Sequence, residues 1–267
     1  MWSCPHCKLA LRASSDDRSL SCASGHSFDR AREGYVNLLP ANRKGSREPG
    51  DNPEMVAARR RVHDTDAYKP LADALADTLD KLAPLADVLD LGCGEGYYCN
   101  ALVAGARNLL GIDISRAAVR LAARRIKAAQ FAVASAYDLP LPDASLDAVV
   151  RVFAPSDDVE TRRVLRPGGY YLEVSPGPRH LWQLRQLLYD TPTENARARV
   201  SVAGLRPLGQ QSLEYELHPK GEQLTDIVSM TPFAHRGHRE KRQTLERASP
   251  PGISMCFSLH LFQRPHE

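Results

Sequence analysis

The sequence predicts an α/β fold, a mostly parallel sheet with helices on both faces, preceded by a small metal-binding module. Three observations predict it. Strand-like and helix-like segments alternate after Pro84, a glycine-rich turn follows the first of those strands, and a Cys/His quartet sits near the N-terminus.

The quartet comes first in the chain. Cys4-Pro5-His6-Cys7 offers two thiolates separated by two residues, and Cys22-Ala23-Ser24-Gly25-His26 a thiolate and an imidazole. Fourteen residues lie between the pairs, enough for a short hairpin. Cys4, Cys7, Cys22 and His26 therefore predict one structural zinc ion, tetrahedral and closed to water, with His6 as a competing ligand. Cys93, Cys99 and Cys256 are scattered, which argues against a disulfide framework and for a reduced, cytoplasmic setting.

The chain divides into a zinc-binding module at 1–38, a linker and helical segment at 39–66, and a catalytic domain at 67–267. Polar residues with Gly and Pro mark 41–53 as loop, Pro53 opens a helix to about His63, and Leu71, Leu75, Leu79 and Leu82 stripe a second one, 67–82. Strands are expected at 87–91, 108–114, 131–134, 146–153 and 170–175. Helices are expected at 97–104, at 117–126 capped by Ser115, and at 161–165, where Pro167-Gly168-Gly169 closes the last. Two further strands follow at 211–217 and 254–262. In the latter, Met255, Phe257, Leu259 and Leu261 alternate with Cys256, Ser258 and His260, as in a strand facing a core on one side.

Composition is that of a globular protein: 267 residues, 43% hydrophobic and 25% charged, with a formal charge of +3. Two local basic clusters suit phosphate contact. One comprises Arg43, Lys44, Arg47, Arg59, Arg60 and Arg61, the other Arg236, Arg239, Lys241, Arg242 and Arg247. No apolar run is long enough to span a bilayer and the N-terminus lacks a secretory pattern, so no membrane partner is expected.

The sharpest local signal is Val88-Leu89-Asp90-Leu91-Gly92-Cys93-Gly94-Glu95-Gly96, a strand running into a tight turn that opens a helix. Alone, this fits a nicotinamide cofactor or S-adenosylmethionine. Asp90 before the turn, and a turn too short to cradle a pyrophosphate, favour the second. Asp113 ends the next strand, 17 residues after Gly96, where a carboxylate can accept ribose hydroxyls.

These motifs, with Leu165-Arg166-Pro167-Gly168-Gly169, resemble class I methyltransferases, which implies a Rossmann-like sheet with an antiparallel C-terminal strand. More narrowly, the chain resembles the bacterial 23S rRNA guanine-N1 methyltransferases of the RlmA type from about residue 4 to 263. The zinc quartet carries this, together with Glu33-Gly34-Tyr35-Val36-Asn37-Leu38-Leu39-Pro40, Gly50-Asp51, Glu54-Met55, Gly94-Glu95-Gly96-Tyr97-Tyr98, Pro176-Gly177-Pro178-Arg179-His180-Leu181 and Met230-Thr231-Pro232-Phe233-Ala234. The resemblance implies methylation of a guanine N1 in a hairpin loop of 23S rRNA, with the branch acting at rRNA guanine 745 favoured over that acting at 748. It also implies a homodimer whose zinc modules and catalytic domains frame the RNA. By position it places Gly94 and Glu95 in the cofactor turn and assigns cofactor contacts to Tyr68 and His180, which join Gly92, Gly96 and Asp113 of the turn and the next strand end as candidate cofactor-binding residues. Asp157, Asp158 and His180 are candidates for taking the N1 proton, with no catalytic residue assigned, and Tyr97, Tyr98, Tyr137 or Phe153 for stacking on an extruded base. The competing readings are a methyltransferase acting on a small molecule and a non-enzymatic, zinc-containing RNA-binding protein.

Overall fold

The computed structural model describes residues 1–40, 50–196, 199, 201–219, 222–231, 233 and 252–266. Arg43, Lys44, Arg47, the whole second basic cluster, Pro232 and Ala234 lie outside the described residues.

The N-terminal module is a three-stranded antiparallel sheet of β1 (Arg12–Ala13), β2 (Ser19–Ser21) and β3 (Ser27–Asp29). A second sheet has eight strands. In chain order these are β4 (Val36–Asn37), β5 (Ala86–Leu91), β6 (Ala106–Asp113), β7 (Ala129–Val133), β8 (Leu146–Val152), β9 (Leu165–Pro176), β10 (Arg206–Leu217) and β11 (Ile253–Gln263). Their spatial order is β10-β11-β9-β8-β5-β6-β7-β4. All pairs from β9 through β4 are parallel, and β11 runs antiparallel to β9 and β10. The expected fold class is thus observed, including the antiparallel C-terminal strand. Every residue of β5 is buried, as a central parallel strand covered on both faces must be.

The helices are α1 (Pro53–His63), α2 (Lys69–Leu82), α3 (Tyr97–Leu102), α4 (Arg116–Arg125), α5 (Asp158–Val164), α6 (Trp182–Leu188) and α7 (Gln223–Ser229). Local chemistry sets their starts. Asn52 caps α1 by accepting from the Met55 N–H at 2.9 Å, with Pro53 at the first position where its missing N–H costs nothing. Ser115 and Asp157 cap α4 and α5 in the same way. Leu71, Leu75 and Leu79 of α2 are buried, each contributing about 1.5–3 kcal/mol of hydrophobic stabilisation.

Three expectations need correction. The helix before Pro167-Gly168-Gly169 ends at Val164, and β9 already begins at Leu165. The turn lies within that strand because Gly168 N–H donates to Arg264 O and Arg264 N–H to Gly169 O, tying it to the chain beyond β11. Strand β10 starts at Arg206, earlier than its polar first half suggests. It is an edge strand whose side chains are mostly exposed. Strand β11 is buried on both faces, because Cys256, Ser258 and His260 are covered as well as the apolar set. Among the described residues no helix is long and apolar enough to cross a membrane.

The zinc module is not a bead on a string. β4 pairs with β7 at the sheet edge, and Ser3 N–H donates to Pro140 O. Trp2, Leu11, Leu20 and Leu38 share one buried cluster with Leu110, Ala132, Leu139 and Leu141.

Candidate functional site

The Cys4, Cys7 and Cys22 thiols and the His26 imidazole offer ligand atoms that all lie within 4.8 Å of one another. Cys7 Sγ is 3.6 Å from Cys22 Sγ, and His26 Nδ1 is 3.5 Å from Cys4 Sγ and 3.4 Å from Cys22 Sγ. Tetrahedral zinc, with Zn–S of about 2.3 Å and Zn–N of about 2.0 Å, places ligands roughly 3.8 Å (S to S) and 3.5 Å (S to N) apart. The cage therefore fits that ion. His6 stacks on Phe28 at 5.9 Å instead of joining the cage.

The glycine turn leaves β5 at the carboxyl edge of the sheet. Gly92 has φ of 79°, and a Cβ there would overlap Ala154 in the loop after β8. At Gly96, φ is 89°, and a Cβ would press on Ala122 of α4 at 3.0 Å. The first glycine lets two loops touch, and the second lets α3 start against α4. Gly94 also has positive φ, but an added Cβ would meet only the tip of Arg59, 4.0 Å away. That side of the turn is open.

Asp113, at the end of β6, accepts from Gly94 N–H at 2.9 Å and Ser115 N–H at 2.7 Å. Its carboxylate is fixed beside the turn, keeps a lone pair on each oxygen for a ligand, and titrates above the ordinary range because of burial. Asp90 is fully buried, accepts from the Cys99 thiol at 3.1 Å, and is pushed up to about 7 by burial.

Glu95 lies in the turn, but its side chain points elsewhere. It is 1% exposed and bonds His63 Nδ1 at 2.9 Å and Arg125 at 2.5 Å. Burial would raise its pKa, but the His63 and Arg125 contacts prevail and hold it low, while burial lowers that of His63. Neutral His63 thus donates to ionised Glu95. The carboxylate ties α1 and α4 to the turn. Tyr68 caps this arrangement, buried 5.3 Å from His63 and 5.9 Å from Phe257.

His180 lies between β9 and α6, 4.8 Å from Phe257 and 5.8 Å from Phe153. Its Nδ1 accepts from Cys256 N–H at 3.2 Å, and burial, then Arg185, lowers its pKa to about 3. A neutral ring accepting through Nδ1 carries its proton on Nε2, so the free nitrogen is a hydrogen-bond donor. This removes His180 as the base. Asp157 and Asp158 are also engaged: Asp157 caps α5, and Asp158 binds Arg199 at 2.5 Å and Ala203 N–H at 3.2 Å.

The His180 shift has a stability consequence. Between about pH 6.5 and 3 the unfolded chain protonates this histidine and the folded chain does not, so stability falls as pH is lowered through that window. Urea unfolding of His180→Asn, which keeps an acceptor for Cys256 N–H, should show a shallower loss than the parent, by up to about 1.4 kcal/mol per pH unit. Parallel pH profiles would contradict the burial argument.

Among the aromatic candidates, Tyr97 stacks on His63 at 4.1 Å, Tyr98 is buried, and Tyr137 is exposed on the loop after β7. Phe153 is the unusual one. It directly follows β8 with φ of 56°, a strained value for a bulky residue, and is 42% exposed beside His180.

Of the sequence-predicted basic clusters, the described members are largely committed. Arg59 pairs with Asp51 and donates to Met230 O at 3.1 Å, Arg61 makes two bonds to Asp226, and Arg60 pairs with Asp64. Arg59 and Arg61 hold α1 against α7 and the Gly50–Asp51 segment, while Arg60 pairs within its own helix end. No local spacing signals that Arg59 reaches the glycine turn, so sequence reasoning missed it. A cleft of about 760 Å³ opens beside the site, lined by Tyr35, Asp51, Ile114, Ser115, Arg116 and Val133 among others.

Comparison with known proteins agrees with this arrangement. Residues 2–47 match the zinc-ribbon family described as the N-terminal part of RlmA, and residues 88–169 match a methyltransferase domain. The methyltransferase complexed with the Trm112 activator of Haloferax volcanii shares the fold, with a TM-score of 0.52 at 21% identity over 83% of this chain and all of that one. A Micromonospora griseorubida protein provisionally named 23S rRNA (guanine-N1)-methyltransferase is 34% identical, covering 86% of this chain and 85% of that protein. The 23S rRNA (guanine(748)-N1)-methyltransferase of Streptomyces fradiae is 37% identical over 261 residues, 94% of this chain and 91% of its own length. Identity at this level over nearly the full length of both proteins shows that the chain belongs to the 23S rRNA (guanine-N1)-methyltransferase family.

Proposed function

We propose that this chain transfers a methyl group from S-adenosylmethionine to N1 of guanine 748 in a hairpin loop of 23S rRNA. The observation that carries the reading is the near full-length similarity to the Streptomyces fradiae guanine-748 enzyme. For the choice of nucleotide this outweighs the motif resemblance that favours guanine 745. A small-molecule methyltransferase has no evident use for a zinc ribbon packed into its catalytic sheet, and a purely RNA-binding protein none for an intact Gly92 turn with Asp113 beside it.

The residues present fit the cofactor. The Gly94 side of the turn is open, and Asp113 is rigid with lone pairs to offer. Gly92, Gly94 and Gly96 shape the backbone cradle, Glu95 contributes through its main chain, and Asp113 takes the ribose hydroxyls. Tyr68 and His180 border the cradle, the first by packing and the second through its Nε2–H. Bound there, S-adenosylmethionine supplies an electrophilic methyl group on a sulfonium centre. The protein's task is then alignment: N1 of an extruded guanine must be held at roughly 3–3.5 Å along the attack line.

Phe153 is positioned to stack on that guanine. Base–aromatic stacking contributes about 1–3 kcal/mol, so Phe153→Ala should lower kcat/KM for rRNA roughly 10- to 100-fold while leaving cofactor affinity unchanged. Unchanged kcat/KM would remove Phe153 from the site.

The ribbon at 1–38 and the catalytic domain at 67–267 form one cytoplasmic enzyme, joined by 39–66, and we assign it a homodimer in which ribbons and catalytic domains frame the RNA. The test of function is methylation of rRNA lacking the modification, followed by reverse transcription. A stop one nucleotide before guanine 748 supports the assignment. A stop at 745 moves the target, and no stop despite cofactor binding refutes RNA methylation.

A further inference from the structure

The exposed face of α4 carries Arg116, Arg120 and Arg124 at four-residue intervals, with Lys127 just beyond. A rise of 1.5 Å per residue sets successive arginines about 6 Å apart in a row. The row starts one residue after Ser115, at the edge of the candidate cofactor site, and runs along the rim of the ribbon module. Among the described residues, these four cations meet one carboxylate. Glu33 of the ribbon accepts from Arg120 at 2.7 Å and Arg124 at 3.0 Å, and its backbone carbonyl accepts from Lys127 at 3.1 Å. Arg116 donates to the Tyr35 hydroxyl oxygen at 3.0 Å. Among the described residues Glu33 is the one carboxylate ion-paired with this row. Both its arginine partners remain about half exposed, at 53% and 51% of the side chain.

Exposed ion pairs of this kind add little stability, so fastening the ribbon is a weak reason for so many cations. The ribbon is already fixed by β4 pairing with β7 and by the shared apolar cluster. We infer that the α4 arginine row is a docking surface for the sugar–phosphate backbone of the rRNA substrate, with Glu33 as the built-in competitor that occupies Arg120 and Arg124 until phosphates displace it. The inference rests on the proposed rRNA substrate and adds the protein surface that carries it. Phosphates are its occupant because the row is a linear run of excess positive charge leading away from the site, and RNA presents negative charge at regular intervals.

Opposite effects of neutralising the two sides of the pair separate this from a structural clamp. A transcript of the 23S rRNA hairpin is titrated by fluorescence anisotropy from about 50 to 300 mM KCl, with zinc content and cofactor affinity measured for every variant. The double variant Arg120→Ala/Arg124→Ala is expected to bind about tenfold more weakly, and the slope of log affinity against log salt should become shallower by roughly 1.4–1.8. Glu33→Gln is expected to do the opposite, tightening binding because two guanidiniums are released. If both variants weaken RNA binding with unchanged salt slopes, the row is a clamp and the inference is overturned. Unchanged binding in both overturns it as well. A parent protein that binds cofactor but neither binds nor methylates this transcript would instead overturn the substrate reading, and this surface with it.

Discussion

A single methyl group added at position 92 is expected to abolish cofactor binding. In Gly92→Ala the new Cβ falls on Ala154 and the residue must hold φ of 79°. The left-handed conformation costs an L-residue about 1–2 kcal/mol, and overpacking at a tight contact about 1–3 kcal/mol. The loop relieves both by moving, and it is the loop that positions the Gly94 N–H on Asp113. Affinity for S-adenosylmethionine should therefore fall at least about 100-fold, equivalent to about 2.7 kcal/mol, with zinc stoichiometry unchanged. Adding Ala154→Gly removes the collision but not the backbone strain, so the double variant should recover part of the affinity. Calorimetric titration reads both. Full affinity in Gly92→Ala would mean that the turn does not hold the cofactor, and no recovery in the double variant would mean that the collision is not the cause.

The second large effect is expected at the metal. Cys22→Ser removes one of four ligands from a cage matched to tetrahedral zinc. Apparent zinc-binding energies in small metal-folded peptides are about 10–16 kcal/mol, comparable to or greater than the whole stability of a typical domain. Bound zinc, measured by atomic absorption, should drop from one per chain to below about a tenth. The loss should spread beyond the ribbon, because Trp2, Leu11 and Leu20 pack with Leu139 and Leu141, and β4 closes the edge of the catalytic sheet. A lower melting temperature for the whole chain and loss of rRNA methylation by more than about 100-fold are expected, with cofactor affinity falling less because the turn is fixed by its own contacts to Asp113, His63 and Arg125. Equal loss of both activities would make ribbon and cofactor site one cooperative unit. Full methylation without metal would contradict a structural role for zinc.

What sequence reveals here follows the range over which the chemistry acts. The zinc quartet and the Gly92–Gly96 turn are legible because their geometry is imposed by residues a few positions apart. Asp113 is legible because one strand–helix–strand unit fixes its distance from the turn. Elements held by contacts distant in sequence are not. The two-residue β4 has no periodicity of its own and exists because β7 offers an unpaired edge. Helices α6 and α7 are seven residues each, too short for a stripe to repeat. Glu95 looks like a ligand contact in its motif, and only the fold brings His63 and Arg125 to its carboxylate. The tautomer of His180 depends on Cys256, 76 residues away in the chain. Basic residues at 59–61 look like a phosphate patch until Asp51, Asp64 and Asp226 are seen beside them, whereas the arginines of α4 look ordinary until the ribbon shows a single carboxylate to oppose them.

The most direct measurement is a crystal structure of the zinc-loaded protein with S-adenosylhomocysteine. The account predicts ribose hydroxyls on the Asp113 carboxylate, the amino-acid end against the open side of Gly94, and the sulfur directed toward Phe153 and His180. A well-ordered ligand bound anywhere else, with the Gly92–Gly96 turn free of it, would contradict the account.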